Sequence, residues 1–220
     1  MFGGVGDGTI FNITPRGALT TLHSFEYKEG ATPITPLVQV ADGNFYGTGS
    51  DGGADGWGTV FRITPDGALT LLHTFTGYPT EGALPYAGLL QATSGDFYGT
   101  TYAGGANGPD GIGGTVFKIT PPGVLTTIYS FCAQPNCADG GYPIAGLIEN
   151  GDGNLYGATN AGGASLSAGT IFRITLQGSL TTMYDFCAQP SCASEPDSPS
   201  TKPGAWSRTA RKIGESPRSG

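Results

Sequence analysis

Two histidines, four cysteines, a few closely spaced carboxylates and a recurring tyrosine are the side chains of this 220-residue chain that could do chemistry. His23 and His73 have the residue type of a general base. They occupy one position of an internal repeat whose later copies carry Tyr129 and Tyr184. A position that takes either His or Tyr reads as an amphipathic side chain at a sheet interface, so no catalytic residue is expected there. Asp51 and Asp55 share a glycine-rich loop, and Asp110 lies in the matching loop of the next copy. Calcium loops use denser alternating oxygen ligands, so these loops read as solvated and no metal site is expected. Glu149 and Asp152 offer the two carboxylates of glycoside chemistry, but they flank a tight turn that Asp152 itself suits. The cysteines fall in two equal spacings, Cys132-x4-Cys137 and Cys187-x4-Cys192. Metal binding is the rival reading, yet it generally uses Cys-x2-Cys or added histidines. Two small-loop disulfides, formed in an oxidising compartment, are the expectation.

Tyr46, Tyr98 and Tyr156 are the binding candidates. Each follows Phe or Leu and precedes Gly-Thr or Gly-Ala. In a strand such neighbours face opposite ways, which suits sheets packed on both faces. The functional alternative has these rings line a channel and stack on a sugar or a peptide. Arg62, Lys118 and Arg173 also share a position, where a strand charge blunts edge pairing.

The elements that would position these groups follow from a single phrase. Gly-Thr-(Ile/Val)-Phe-x-Ile-Thr begins at Gly8, Gly58, Gly114 and Gly169, with offsets of 50, 56 and 55 residues. Such a period marks a repeat architecture. Each copy holds short runs rich in β-branched and aromatic residues, bounded by Gly, Pro or Asp, which read as four strands. Pro65-Asp66-Gly67, with Pro15-Arg16-Gly17 and Pro121-Pro122-Gly123, suits a three-residue hairpin in which glycine takes the left-handed position. Asp42-Gly43, Ser94-Gly95 and Asp152-Gly153 suit the other hairpin. No segment has helical periodicity. The predicted fold is all-β: a β-propeller-like array of four-stranded antiparallel blades, about three and a half in number. The predicted repeat region is 1–193, with a half blade at about 1–30 and blades at about 31–80, 81–136 and 137–193. Residues 194–220, with four prolines and five of the ten basic side chains, are expected to be a disordered tail. A piece of a longer repeat protein is the expectation.

Composition narrows the partners. Residues 1–193 carry 14 acidic and 5 basic side chains, which argues against nucleic acid and anionic membranes. No apolar run approaches the roughly 18 residues of a membrane span. No cofactor is expected. Carbohydrate or another surface protein are the expected partners, together with self-association through open blade edges.

The residues from Gly114 to Phe131, Ala87-Gly88-Leu89-Leu90 and Asp96-Phe97-Tyr98-Gly99-Thr100-Thr101 resemble the signature of bacterial choice-of-anchor tandem repeat proteins of the GloVer type, over about residues 2–193. The resemblance implies a secreted or surface-anchored protein with propeller-like repeats, and it implies no particular activity. The expectation is therefore a non-enzymatic extracellular or cell-surface module, structural or ligand-binding. The alternative is a propeller-type hydrolase or lyase acting on polysaccharide, with its active site in further blades.

Overall fold

The computed structural model describes residues 6–107, 113–164 and 168–186. Strands β1 (Thr9–Ile13) and β2 (Leu19–Ser24) form a two-stranded antiparallel sheet. Strands β3 (Val38–Gln39), β4 (Phe45–Gly49), β5 (Thr59–Ile63) and β6 (Leu69–Thr74) form a four-stranded antiparallel sheet in that order. Next come β7 (Gly82–Ala83), β8 (Leu90–Gln91), β9 (Phe97–Thr101), β10 (Ala103–Gly104), β11 (Thr115–Ile119) and β12 (Leu125–Ser130). Here β8-β9-β11-β12 make the second four-stranded sheet, and β7 and β10 pair as a short ribbon. In the third sheet, β13 (Gly141–Pro143) and β14 (Ile148–Glu149) both pair with β15 (Leu155–Ala161), which leads to β16 (Thr170–Ile174) and β17 (Leu180–Asp185). The chain is all-β and propeller-like, with consecutive sheets stacked face to face and no closure into a ring among the described residues. Cys187, Cys192, Asp110 and the expected tail lie outside the described residues.

The repeated phrase shows why the sheets stack. Along β5, Val60 joins one apolar cluster with Phe75, Leu89, Phe97, Phe117 and Ile119, while Phe61 and Ile63 join another with Ile10 and Phe25. Adjacent strand residues thus feed opposite interfaces, as the two-residue period requires. The third cluster joins Tyr98, Val116 and Phe131 of the second sheet to Leu147, Leu155, Phe172 and Ile174 of the third. Each fully buried phenylalanine or isoleucine is worth roughly 2–3 kcal/mol of transfer free energy. At every interface two phenylalanines meet edge-on, Phe25–Phe61, Phe75–Phe117 and Phe131–Phe172, with centroids 5.1–5.3 Å apart.

Two further devices recur. A register shift falls at Ile10/Phe11, Val60/Phe61, Val116/Phe117 and Ile171/Phe172, so each sheet is bulged and its twist increased at the same place. The hairpin glycines Gly67, Gly123 and Gly178 have φ of 92°, 98° and 91°, and each lies against a backbone carbonyl of the preceding sheet, from Leu22, Leu72 and Ile128. Gly17, which has no described sheet behind it, meets nothing within 4 Å.

Candidate functional site

In three of its four copies the recurring His or Tyr position ties the end of the last strand of a sheet to the loop that leads into the next sheet. His23 Nε2 lies 3.2 Å from Glu29, His73 Nε2 lies 2.9 Å from Glu81, and the Tyr129 hydroxyl donates to Asp139 at 2.8 Å. Asp139 is fully buried, and it also accepts from the backbone N–H groups of Ala133 and Gln134. Burial, and then the hydrogen bond to Asp139, push the Tyr129 phenol well above its ordinary range, so it stays protonated and donates.

The remaining carboxylates go to separate partners. Glu149 accepts from the backbone N–H and hydroxyl of Thr93, linking the first hairpins of the second and third sheets. Asp152 accepts from Asn154 and from the Tyr156 hydroxyl. The Asn154 side-chain donor, followed by the Tyr156 hydroxyl, holds the Asp152 carboxyl below its usual range. Asp55 is exposed, and Asp51 bridges to Ala31 through its backbone. Among the described residues no group of three His, Cys, Asp or Glu side chains comes together. Arg62, Lys118 and Arg173 are half-buried, with Arg62 reaching Thr70 and Lys118 reaching Asp96.

Cys132 and Cys137 form a disulfide five residues apart, in the loop after β12. The Cys137 carbonyl accepts from the N–H groups of Gly140 and Gly163, so the bridge braces the entry to the third sheet. Closing so short a ring is worth about 2 kcal/mol. A corresponding fall in stability is expected on reduction or on Cys132→Ser, read from urea melts with and without reductant.

Tyr46 and Tyr98 are buried within the sheet interfaces, and Tyr46 stacks on Phe97 at 4.2 Å. Tyr156 is half-buried, with its hydroxyl on Asp152. The structure brings together a different set. Tyr86, in the loop before β8, lies 5.2 Å from Tyr102, which follows β9, and Tyr102 stacks on Tyr142 of β13 at 4.7 Å with the rings 26° apart. All three are half-buried at the surface. Their hydroxyls have no hydrogen-bond partner among the described residues. Burial raises the phenol pKa of Tyr86 and of Tyr142, reinforced at Tyr86 by Asp51 and then by Tyr102, and at Tyr142 by Tyr102. Tyr86 and Tyr142 therefore stay neutral at physiological pH.

Backbone contacts between sheets set this spacing. The Tyr102 N–H donates to the Leu84 carbonyl, and the Tyr142 N–H donates to the Gly113 carbonyl. Tyr142 adopts φ 53°, as its repeat equivalents Leu84 and Thr32 do at 58° and 54°. A left-handed non-glycine residue costs of order 1 kcal/mol or more and persists where its surroundings hold it. Reading for recurrence passes over this ladder. Tyr86 stands where the other copies have Ile34 and Ile144, Tyr102 where they have Ser50 and Asn160, and Tyr142 where they have Thr32 and Leu84. Departure from the repeat at three neighbouring positions is the sequence signal that marks it.

Comparison with known proteins adds the following. No curated protein matches the chain. Several solved structures resemble it, three of them as follows. A protein assigned as a gluconolactonase is 15% identical, with a TM-score of 0.49, over 79% of this chain and 55% of that one. Proteins assigned as 6-phosphogluconolactonases, from Bacteroides fragilis and Bacteroides uniformis, are 19% and 16% identical, with TM-scores of 0.39 and 0.37. They are matched over 66% and 63% of this chain, and over 36% and 35% of their own lengths. The chain thus spans about half, or less, of the structures it resembles. These enzyme assignments correct the expectation that the chain is not an enzyme: a scaffold of this kind occurs in proteins assigned as lactonases, so its repetition does not mark a non-catalytic protein. With every TM-score below 0.5, the likeness carries no reaction over to this chain. No helix among the described residues is long and apolar enough to cross a membrane. A model of the Gloeobacter/Verrucomicrobia repeat matches residues 2–207, and the chain belongs to that family.

Proposed function

We propose that this repeat module binds a neutral carbohydrate on the ladder of Tyr86, Tyr102 and Tyr142, and that it does so outside the cell. The observation that carries the reading is a row of three half-buried rings, Tyr102 stacked on Tyr142 and Tyr86 tilted by 46° beside it, each foreign to its repeat position and with no hydroxyl partner among the described residues. Tyrosine pairs an apolar ring with a polar tip, the combination that a sugar's C–H faces and hydroxyls require. The rings hold one another in place, so little side-chain freedom is lost on binding. The chain's net charge of −7 and the proximity of Asp51 to Tyr86 disfavour an anionic ligand. Another surface protein fits less well, because a stable interface needs roughly 800 Å² per partner and three partly covered rings supply far less. The extracellular setting is supported by the Cys132–Cys137 disulfide, a bond that forms in oxidising compartments.

A glycan array on the intact chain tests the reading. Neutral oligosaccharides are expected to bind, and Tyr102→Ala, which removes the middle ring, is expected to weaken that binding about tenfold, as loss of an aromatic contact worth ~1.4 kcal/mol would. Unchanged affinity in Tyr102→Ala contradicts the site. Product analysis on the same glycans decides whether the bound sugar is also turned over.

A further inference from the structure

The linkers that carry the chain from one sheet into the next differ in length. Residues 26–30 join Phe25 to Ala31, residues 76–82 join Phe75 to Ala83, and residues 132–140 join Phe131 to Gly141. Each linker is thus two residues longer than the one before, and a longer loop costs more chain entropy to hold closed. All three are tied near their ends by one side-chain pair, His23 to Glu29, His73 to Glu81 and Tyr129 to Asp139. Among the described residues the longest linker alone has a covalent bridge as well, from Cys132 to Cys137.

That bridge acts on the residues just ahead of Tyr142. The Cys132 N–H donates to the Gly140 carbonyl at 3.3 Å, and the Cys137 carbonyl accepts from the Gly140 N–H at 2.9 Å. A Cβ on Gly141 would lie 3.5 Å from Cys132 Sγ, so the bridge lies against the first residue of β13. Tyr142 comes next, and its ring carries the ladder from the second sheet into the third. Cys132, Asn136 and Cys137 have φ of 60°, 57° and 50°, and neither shorter linker contains a left-handed residue other than glycine. Such a conformation persists only where the surroundings impose it. Breaking the bridge lifts that constraint at both ends of the ring. Residues 133–136 are exposed and both cysteines half-buried, so a reductant has access to the sulfurs.

We propose that the Cys132–Cys137 disulfide is a redox-sensitive latch on the tyrosine ladder: closed, it holds Tyr142 against Tyr102, and opened by a dithiol it releases Tyr142 and weakens sugar binding. The effect on binding rests on the ladder being the carbohydrate site; the effect on the rings does not. In the opening step a thiolate of the dithiol attacks one sulfur to give a mixed disulfide, and its second thiol then displaces the protein sulfur. Cys132 and Cys137 each end as a thiol, having together gained two electrons and two protons, and the dithiol ends as its own disulfide.

The Cys187→Ser/Cys192→Ser protein tests this, because Cys132 and Cys137 are then its only cysteines. Ring-to-ring contacts are followed by NMR in protein with labelled tyrosine and phenylalanine, with no sugar present. The Tyr102–Tyr142 contact is expected in the oxidised form, lost in excess dithiothreitol and regained on reoxidation. The Tyr86–Tyr102 and Phe131–Phe172 contacts are expected to persist throughout. Adding Cys132→Ser/Cys137→Ser should give the reduced pattern with or without dithiothreitol. Replacing residues 132–140 by the sequence of residues 76–82, with Tyr129→His to keep the pair with glutamate, should keep the Tyr102–Tyr142 contact without any bridge. On reduction, affinity for the neutral oligosaccharide that binds best on the array is expected to fall about tenfold, as for Tyr102→Ala. A Tyr102–Tyr142 contact that survives reduction, or one lost only together with Phe131–Phe172, overturns the latch. Unchanged affinity in the reduced protein overturns it as well. If no oligosaccharide binds the oxidised protein, the carbohydrate reading fails, and the ring contacts still decide whether the bridge positions Tyr142.

Discussion

Phe117→Ala is expected to destabilise the protein by about 4 kcal/mol, and Phe11→Ala by less than about 1 kcal/mol, although the two residues occupy the same place in the repeated phrase. Phe117 is 1% exposed, with its ring over Gly99 and edge-on to Phe75 at 5.3 Å. Truncating it opens a cavity between two sheets whose strands cannot close over it without breaking their own ladders. Phe11 is 55% exposed, so most of its surface is already in water and little transfer energy is lost. Urea titration of both variants, with the slope checked for constancy, measures the difference. Equal costs at the two positions would mean that the sheets do not stack through this phrase.

Asp139→Ala is expected to cost about 3 kcal/mol. The carboxylate is fully buried and accepts from the Tyr129 hydroxyl and from the backbone N–H groups of Ala133 and Gln134. Removing it empties a fully buried site and takes the acceptor from three part-buried donors at once, and each donor left unsatisfied costs up to about 1–3 kcal/mol. Asp139→Asn should fall between, since an amide keeps one acceptor oxygen but turns an N–H₂ toward a backbone donor. The equivalent Glu81→Ala should cost about 1 kcal/mol, because its pair with His73 is partly solvated and screened accordingly. A thermal melt of the three variants orders them. Glu81→Ala costing as much as Asp139→Ala would show that burial is not what sets the effect.

Much of this fold is legible in the chain, for a physical reason. Alternation within Thr59–Ile63 and its copies, together with Pro-x-Gly turns, leaves few conformations other than short hairpins. The fourfold recurrence then makes each hairpin pair the neighbour of the next. The bulge beside Phe61 is not legible, because it depends on how the twisted sheet meets its neighbour. The short strands β7, β10 and β13 are likewise set by contacts between loops, and no composition marks them. Tyr86, Tyr102 and Tyr142 are far apart in sequence and come together only once the sheets are stacked. Searching for residues that recur finds the scaffold, here Tyr46 and Tyr98 buried between sheets. The ladder consists of residues that break the recurrence. The expected lack of enzymatic character rested on the same recurrence, and the lactonase assignments of the similar structures remove that support.

The most direct measurement is a titration of protein carrying ring-labelled tyrosine with a neutral oligosaccharide, followed by NMR of the ring signals. The ladder reading predicts saturable shifts of Tyr86, Tyr102 and Tyr142, lost in Tyr102→Ala, with the signals of Tyr46 and Tyr98 unmoved. Shifts confined to Tyr156, or a bound glycan that leaves all three ladder rings unperturbed, would contradict it.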